Sequence, residues 1–446
     1  MESNTQTSAA PPRANYFLSV NFCNIRCFGP ETQTLSLSNR DGSPARWTIL
    51  LGENGAGKTT VLQVIAGVQG IPHQPADPDE YYDAPRFLGY AQTGDSMSLL
   101  REPSIDAVVR ARISSCERIE CGMGGRPTAE CGFALNSMSF RILGFHMLPP
   151  ICYGYGAARR PGAASISEDD RADPAATLYR DHASMRSAEE WLLRADYSAS
   201  KPSAVQERQQ ARLEQAKELL TSILPGVSEI RFTQPTGTRP IPAVEFKTHY
   251  GWVSIKSLGY GYQTMIGWTV DLASRLVERY PDSANPLAER AVVLVDEIDL
   301  HLHPAWQRQL IDHLTRVFAN TQFIVTAHSP LIVQGATNAN IAVLRRDGDH
   351  VVIDNEVESI RGWRVDQILT SDLFDLPSAR PPDLDEKLRR RIELLGQPVL
   401  TDADKREVEK LDTEIGDLPS GESSDDARRM LKLAEQTRDL LQKYGG

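Results

Sequence analysis

An α/β fold built on a mostly parallel sheet covered by helices is the architecture this sequence predicts, and three observations predict it. The first is Gly52-Glu53-Asn54-Gly55-Ala56-Gly57-Lys58-Thr59-Thr60, which follows the apolar run Trp47-Thr48-Ile49-Leu50-Leu51 and precedes Val61-Leu62-Gln63-Val64-Ile65-Ala66. That order is strand, glycine loop, helix. The second is Val292-Val293-Leu294-Val295, a short apolar strand that ends in Asp296-Glu297. The third is Gln322-Phe323-Ile324-Val325-Thr326, a further buried strand after a helical stretch across Trp306 to Phe318. Strands that read as continuous apolar runs and are separated by helices belong to a parallel sheet buried on both faces.

The first segment is a full GxxxxGK[ST] phosphate-binding loop, so the fold class is that of a P-loop NTPase. Glycines let successive backbone N–H groups converge on the phosphates at a helix N-terminus. Glu53, Asn54, Gly55, Ala56, Gly57, Lys58, Thr59 and Thr60 are therefore the nucleotide-binding candidates. Lys58 supplies the cation for phosphate charge, and the Thr59 hydroxyl is a ligand for Mg²⁺. The strand ending in Asp296-Glu297 has the form of a Walker B segment, with Asp296 as the second Mg²⁺ ligand and Glu297 aimed at the attacking water. ATP and Mg²⁺ are the expected cofactors.

Beyond the acids the chain reads Ile298-Asp299-Leu300-His301-Leu302-His303-Pro304 and then Thr326-Ala327-His328-Ser329-Pro330. These segments resemble the ABC-type ATPase heads of the SMC/RecF class, which act on nucleic acid. The resemblance implies that Asp299 lies in a D-loop crossing a dimer interface and that His328 is the switch histidine at the γ-phosphate. His301 and His303 have a metal-ligand spacing, but their place after the Walker B acids favours interface or structural roles. The resemblance also calls for a signature segment, and Ser257-Leu258-Gly259-Tyr260-Gly261-Tyr262-Gln263 is the candidate. Two registers compete: one aligns Gly261 and Gln263 with the family motif and puts Gly259 at its serine position, while a shifted one puts Ser257 there. Gln92 is either a Q-loop residue linking Mg²⁺ to the inserted region or a surface glutamine.

At 446 residues the chain is long enough for a large core and more than one subdomain. Its net charge of −11 argues against a general nucleic-acid coat while leaving room for a local basic groove. No stretch approaches the roughly 18 apolar residues of a membrane span, and the N-terminus lacks the regions of a signal peptide. A cytoplasmic protein without membrane contact is expected. Cys23, Cys27, Cys116, Cys121, Cys131 and Cys152 form no CxxC pair and are expected to be reduced.

The expected organisation is a flexible tail over 1–15, the first part of the ATPase head over 16–100, and an inserted, mainly helical subdomain over 101–225. The second part of the head follows over 226–345, and a helical C-terminal appendage over 346–446. In the insertion, helices are expected across Ile105 to Ile113, around Ser187 to Ala195, and across Gln206 to Leu224, where Leu213, Ala216, Leu219, Leu220 and Ile223 share a face. The C-terminal candidates are Leu384 to Leu395, Ala403 to Ile415 and Asp425 to Tyr444. The absence of a long heptad run argues against an extended coiled-coil arm.

Within the insertion, Tyr153-Gly154-Tyr155-Gly156-Ala157-Ala158-Arg159-Arg160 resembles the YGxxR segment of the PtuA-type ATPases of the Septu anti-phage system. Glu189-Glu190-Trp191-Leu192, Ile223-Leu224-Pro225 and Val365 to Phe374 are similar to that group as well. Arg159 and Arg160 either reach phosphate or nucleic acid, such as DNA, or form salt bridges. The resemblance implies an ATP-hydrolysing defence ATPase that assembles as a dimer or higher oligomer with composite ATP sites. It also implies a separately encoded partner nuclease of HNH type, since no nuclease motif is found in this chain. The rival reading is a RecF/SMC-like ATPase that clamps DNA in repair or chromosome maintenance.

Overall fold

The computed structural model describes residues 16–68, 107–114, 128–135, 140–143, 150–160, 173–235, 242–357, 360, 362–374, 376–397 and 400–416. The strands are β1 (Tyr16–Cys23), β2 (Gln33–Ser36), β3 (Trp47–Gly52), β4 (Ala107–Ser114), β5 (Thr128–Leu135), β6 (Phe140–Leu143) and β7 (Cys152–Tyr155). They continue as β8 (Glu229–Phe232), β9 (Val244–Thr248), β10 (Gly251–Ser254), β11 (Ala291–Val295), β12 (Thr321–Thr326), β13 (Asn340–Asp347) and β14 (His350–Asp354). The helices are α1 (Lys58–Val68), α2 (Ala176–Tyr179), α3 (Ala188–Ser200), α4 (Gln206–Ile223), α5 (Tyr260–Arg279) and α6 (Pro304–Val317). The last four are α7 (Pro330–Gly335), α8 (Val365–Leu369), α9 (Pro382–Leu395) and α10 (Asp402–Ile415).

The central sheet has the order β14-β13-β3-β12-β11-β7. All its pairings are parallel except the β13–β14 hairpin at one edge. Its strands alternate side chains between two cores. Ile49, Leu51, Val293, Val295, Phe323 and Val325 join one apolar cluster, whereas Leu50, Val292, Leu294 and Ile324 join the other. The first cluster takes in the apolar faces of α4, α5 and α6, including Leu220, Trp268 and Leu310. The second holds α1 and, beyond it, an antiparallel sheet of order β2-β1-β4-β5-β6 that contributes Phe17, Phe22, Leu35 and Val109. Lying between two sheets, α1 is buried all round, which explains its apolar sequence without a polar face. A third antiparallel sheet, β10-β9-β8, precedes α5.

The helix at Gln206–Ile223 buries the five residues expected to share a face: Leu213, Ala216, Leu219, Leu220 and Ile223. The helix expected across Ile105 to Ile113 is instead strand β4, which pairs along its length with β1 and β5. Val109 and Ala111 are buried while Arg110 and Arg112 are exposed, the period of two that a half-covered strand requires. With β5 and β6 beside it, the first half of the 101–225 region is a sheet layer in its described parts, and only the second half is helical. The chain divides into two compact units, 1–375 and 376–446, so β14 and α8 belong to the first unit and not to an appendage starting at 346. In the second unit, α9 and α10 are joined by ion pairs of Arg390 with Glu407, Arg391 with Asp412 and Lys387 with Glu414. Gln92 and the helix expected across Asp425 to Tyr444 lie outside the described residues. No helix among the described residues is long and apolar enough to cross a membrane.

Candidate nucleotide-binding site

Strands β3, β12 and β11 lie side by side and run in one direction, so their carboxyl ends open on the same edge of the sheet. That edge is where ligands bind in open parallel sheets. The phosphate loop leaves β3 there. Gly57 has φ +81°, and a Cβ on it would sit 2.4 Å from Cys27 Sγ. Gly52 has φ +142°, and a Cβ there would sit 2.5 Å from the Leu344 carbonyl oxygen. Both glycines are thus required by backbone conformation and by close packing. Lys58 Nζ donates to the carbonyls of Gly52 at 2.8 Å and Glu53 at 2.9 Å, which folds the ammonium back over the loop. Burial lowers the Lys58 pKa, and Asp296, Glu297 and Asp299 act in the opposite direction.

Asp296 joins the three strands. Its Oδ2 accepts from the Thr59 hydroxyl at 2.7 Å, and its Oδ1 accepts from the Thr326 hydroxyl at 2.6 Å. Thr326 ends β12, midway between the loop strand and the Walker B strand, and also accepts from the Glu297 amide at 2.7 Å. Asp299 Oδ2 accepts from the His328 amide at 3.0 Å, which ties the D-loop segment to the exposed histidine. The Thr60 hydroxyl, by contrast, faces Arg26, whose Nη1 donates to it at 3.3 Å and to Gln63 Oε1 at 2.6 Å. A cavity of about 620 Å³ adjoins the loop, lined by Glu53, Asn54, Gly55, Ala56 and His328 on one side and by Leu344, His350 and Phe374 on the other. A hydroxyl and a carboxylate held together at the mouth of such a loop are hard oxygen donors suited to Mg²⁺.

The signature candidates sit elsewhere. Gly259 caps α5, accepting from the amides of Tyr262 and Gln263. The Gln263 side chain turns back to donate to the Leu258 carbonyl at 2.7 Å. Ser257 lies in a 3-10 turn with its hydroxyl 3.0 Å from that of Ser254. Gly261 is pressed against the D-loop segment, and a Cβ there would meet the His301 carbonyl oxygen at 2.3 Å. Gly259, Gly261, His301 and Trp306 line a second cleft that shares no residue with the cavity at the phosphate loop. His303 caps α6, its Nδ1 accepting from the Ala305 amide at 3.3 Å.

Two groups stand closer to the acids than the sequence motifs suggest. Arg159, expected at phosphate, nucleic acid or a salt bridge, is 1% exposed and its Nη2 donates to the Glu297 backbone carbonyl at 2.7 Å. Its burial removes it from any nucleic-acid surface, whereas Arg160 is exposed. Burial lowers the Arg159 pKa to about 10, opposed by Asp296, Glu297 and Asp299. Tyr155, at the end of β7, accepts the Asp296 amide on its carbonyl at 2.8 Å and donates its hydroxyl to Asp271 of α5 at 2.8 Å. Burial, and then the Asp271 charge, raise the Tyr155 pKa well above its ordinary value. The signal for Arg159 was its place in the YGxxR segment beside the Walker B strand. For Thr326 it was a hydroxyl at the end of an otherwise apolar strand.

A family model described as AAA domain, putative AbiEii toxin, Type IV TA system matches residues 153–334. A Retron Ec83 probable ATPase from Escherichia coli is 29% identical over 225 residues, covering 50% of this chain and 38% of that protein. A Septu protein PtuA from Bacillus mycoides (strain KBAB4) is 24% identical over 378 residues, covering 84% of this chain and 47% of that protein. A Retron Vc95 probable ATPase from Vibrio cholerae serotype O1 biovar El Tor is 44% identical over 92 residues, 21% of this chain and 18% of that protein. The chain thus spans less than half the length of these relatives. Among solved structures, the SMC head domain from Thermotoga maritima aligns over 77% of this chain and 99% of that one, at 14% identity and a TM-score of 0.41. The Smc head domain derived from Pyrococcus furiosus, with an extended coiled coil and bound to the C-terminal domain of ScpA, aligns over 76% and 96%, at 13% identity and a TM-score of 0.46. The chain is accordingly similar to Septu PtuA proteins and retron ATPases, and its residues 153–334 match an AAA ATPase domain model.

Proposed function

We propose that this chain binds ATP with Mg²⁺ and hydrolyses it as the ATPase of a prokaryotic anti-phage defence system, in which it regulates a separately encoded nuclease of HNH type. The observation that carries the reading is the Thr59–Asp296–Thr326 chain of hydrogen bonds, which brings the phosphate loop and the Walker B strand to one point. Mg²⁺ would be held by Thr59 and Asp296 and would offset phosphate charge. Amides of residues 53 to 60 bind the β- and γ-phosphates, with Lys58 as their cation. Glu297 orients the attacking water and takes its proton. His328, exposed at the same edge, faces the γ-phosphate.

Two or more chains are needed in this reading, because the signature candidates Gly259 and Gly261 line a cleft separate from the phosphate loop of their own chain, with Ser257 and Gln263 in the same segment. The N-terminus of α5 then presents its N–H groups to the γ-phosphate held by a partner. The protein works in the cytoplasm. Calorimetric titration with Mg-ATP tests the binding step: Lys58→Ala is expected to abolish measurable affinity, and unchanged affinity would reject the phosphate-loop assignment. Co-expression with the nuclease encoded beside it tests the rest, and nuclease activity indifferent to Glu297→Gln would reject regulation by this site.

A further inference from the structure

Glu297 has φ +49°, a left-handed conformation uncommon for a residue with a side chain. Such a conformation persists only where the surroundings enforce it. Here its backbone is held on both sides: the amide donates to the Thr326 hydroxyl at 2.7 Å, and the carbonyl accepts from Arg159 Nη2 at 2.7 Å. Arg159 itself has φ +31°, and its Nε, buried, has no hydrogen-bond partner. A guanidinium taken out of water at that depth is costly unless carboxylates compensate it, and Asp296, Glu297 and Asp299 are the acids near it.

We infer that Arg159 is a positioning residue of the hydrolytic site: by gripping the Glu297 carbonyl it fixes the direction in which the Glu297 carboxylate leaves the backbone. The inference rests on the proposed role of Glu297 as the base. Arg159 does not line the cavity beside the phosphate loop, and its hydrogen bond goes to the Glu297 backbone, so its effect is expected on turnover and not on affinity. A residue that only fills space would lower stability and affinity together. A residue that contacts phosphate would weaken nucleotide binding first.

Arg159→Met and Arg159→Lys, made in the full chain, separate these cases when Mg-ATP affinity, KM and kcat are measured beside wild type and Glu297→Gln. Arg159→Met is expected to lower kcat by about 10²-fold, the cost of misplacing a catalytic group by about 1 Å, while affinity and KM stay near wild type. Arg159→Lys keeps the charge but has a single donor point, and is expected to recover part of the loss. Wild-type kcat in both variants, or affinity falling in step with kcat, would overturn the inference. If Arg159→Met does not fold, Arg159→Lys decides alone: wild-type kcat, or parallel losses in affinity and kcat, rejects the clamp. Failure of wild type to hydrolyse ATP, or full turnover by Glu297→Gln, overturns the base assignment and the clamp with it. Normal controls with normal Arg159 variants overturn the clamp alone.

Discussion

Asp296 and Glu297 are neighbours with different surroundings, and in the proposed reading those surroundings divide the chemistry between them. Both Asp296 oxygens are engaged by hydroxyls at 2.7 and 2.6 Å, whereas Glu297 is fixed through its backbone and its side chain is partly exposed. Asp296→Asn places a donor where hydroxyl protons already point, so Mg-ATP affinity and thermal stability should both fall. Glu297→Gln should keep the affinity and lower turnover by about 10²- to 10⁴-fold, the range for losing a general base. Equal, mild effects on turnover would contradict this division. The glycines differ in the same measurable way. Gly55 and Gly57 share φ +81°, but a Cβ at Gly55 meets open space and one at Gly57 meets Cys27 Sγ. Gly57→Ala should therefore abolish nucleotide binding, while Gly55→Ala costs only strain of about 1 kcal/mol; titration with Mg-ATP distinguishes them. The loop and the Asp296-Glu297 pair stood out in the sequence as candidates because phosphate chemistry demands contiguous residue types, and the structure brings Thr59 and Asp296 within hydrogen-bond distance. Thr326 and Arg159 were not assignable, since their partners lie far along the chain and only the strand order β3-β12-β11-β7 brings them together.

At the scale of elements, the parallel strands were readable because both their faces are buried, and a run such as Val292 to Val295 then leaves no alternative. Strand β4 was misread for a definable reason. Ile105, Val109 and Ile113 are spaced by four, which satisfies a helix and a period-two strand alike, and Arg110 and Arg112 look like a polar helix face. The partner decides: β1 offers an edge to pair with and α1 an apolar surface to cover. Val109→Asp should destabilise the fold by about 3 kcal/mol or more, because it buries an unpaired carboxylate between a sheet and a helix. Arg110→Asp, on the exposed side, should stay within about 0.5 kcal/mol. Denaturant unfolding of both variants checks this, and equal losses would refute the register of β4. The hydrogen bond of Tyr155 to Asp271 links β7, which pairs with β11, to α5, the helix opened by the candidate signature segment. Two elements distant in sequence thus share one buried contact.

At the scale of the whole molecule, the phosphate loop and the candidate signature glycines Gly259 and Gly261 line separate clefts, so the proposed composite site requires that two chains share them. The structure determines which signature variant is informative. Gly261 packs against the His301 carbonyl, so a side chain there damages the chain's own D-loop segment. Gly259 is exposed at the cap of α5, and a Cβ on it would meet only Tyr262 at 3.9 Å. If the proposed composite site holds, Gly259→Asp places a negative charge toward a partner's γ-phosphate without disturbing its own fold, since aspartate is itself a good helix cap. The decisive measurement is the ATPase rate of Lys58→Ala mixed with Gly259→Asp, each alone being inactive. A composite site predicts that mixing restores part of the wild-type rate, because each mixed dimer keeps one intact loop facing one intact signature. No recovery on mixing, together with a wild-type rate per chain that is independent of protein concentration and a monomeric mass in the presence of ATP, would contradict it.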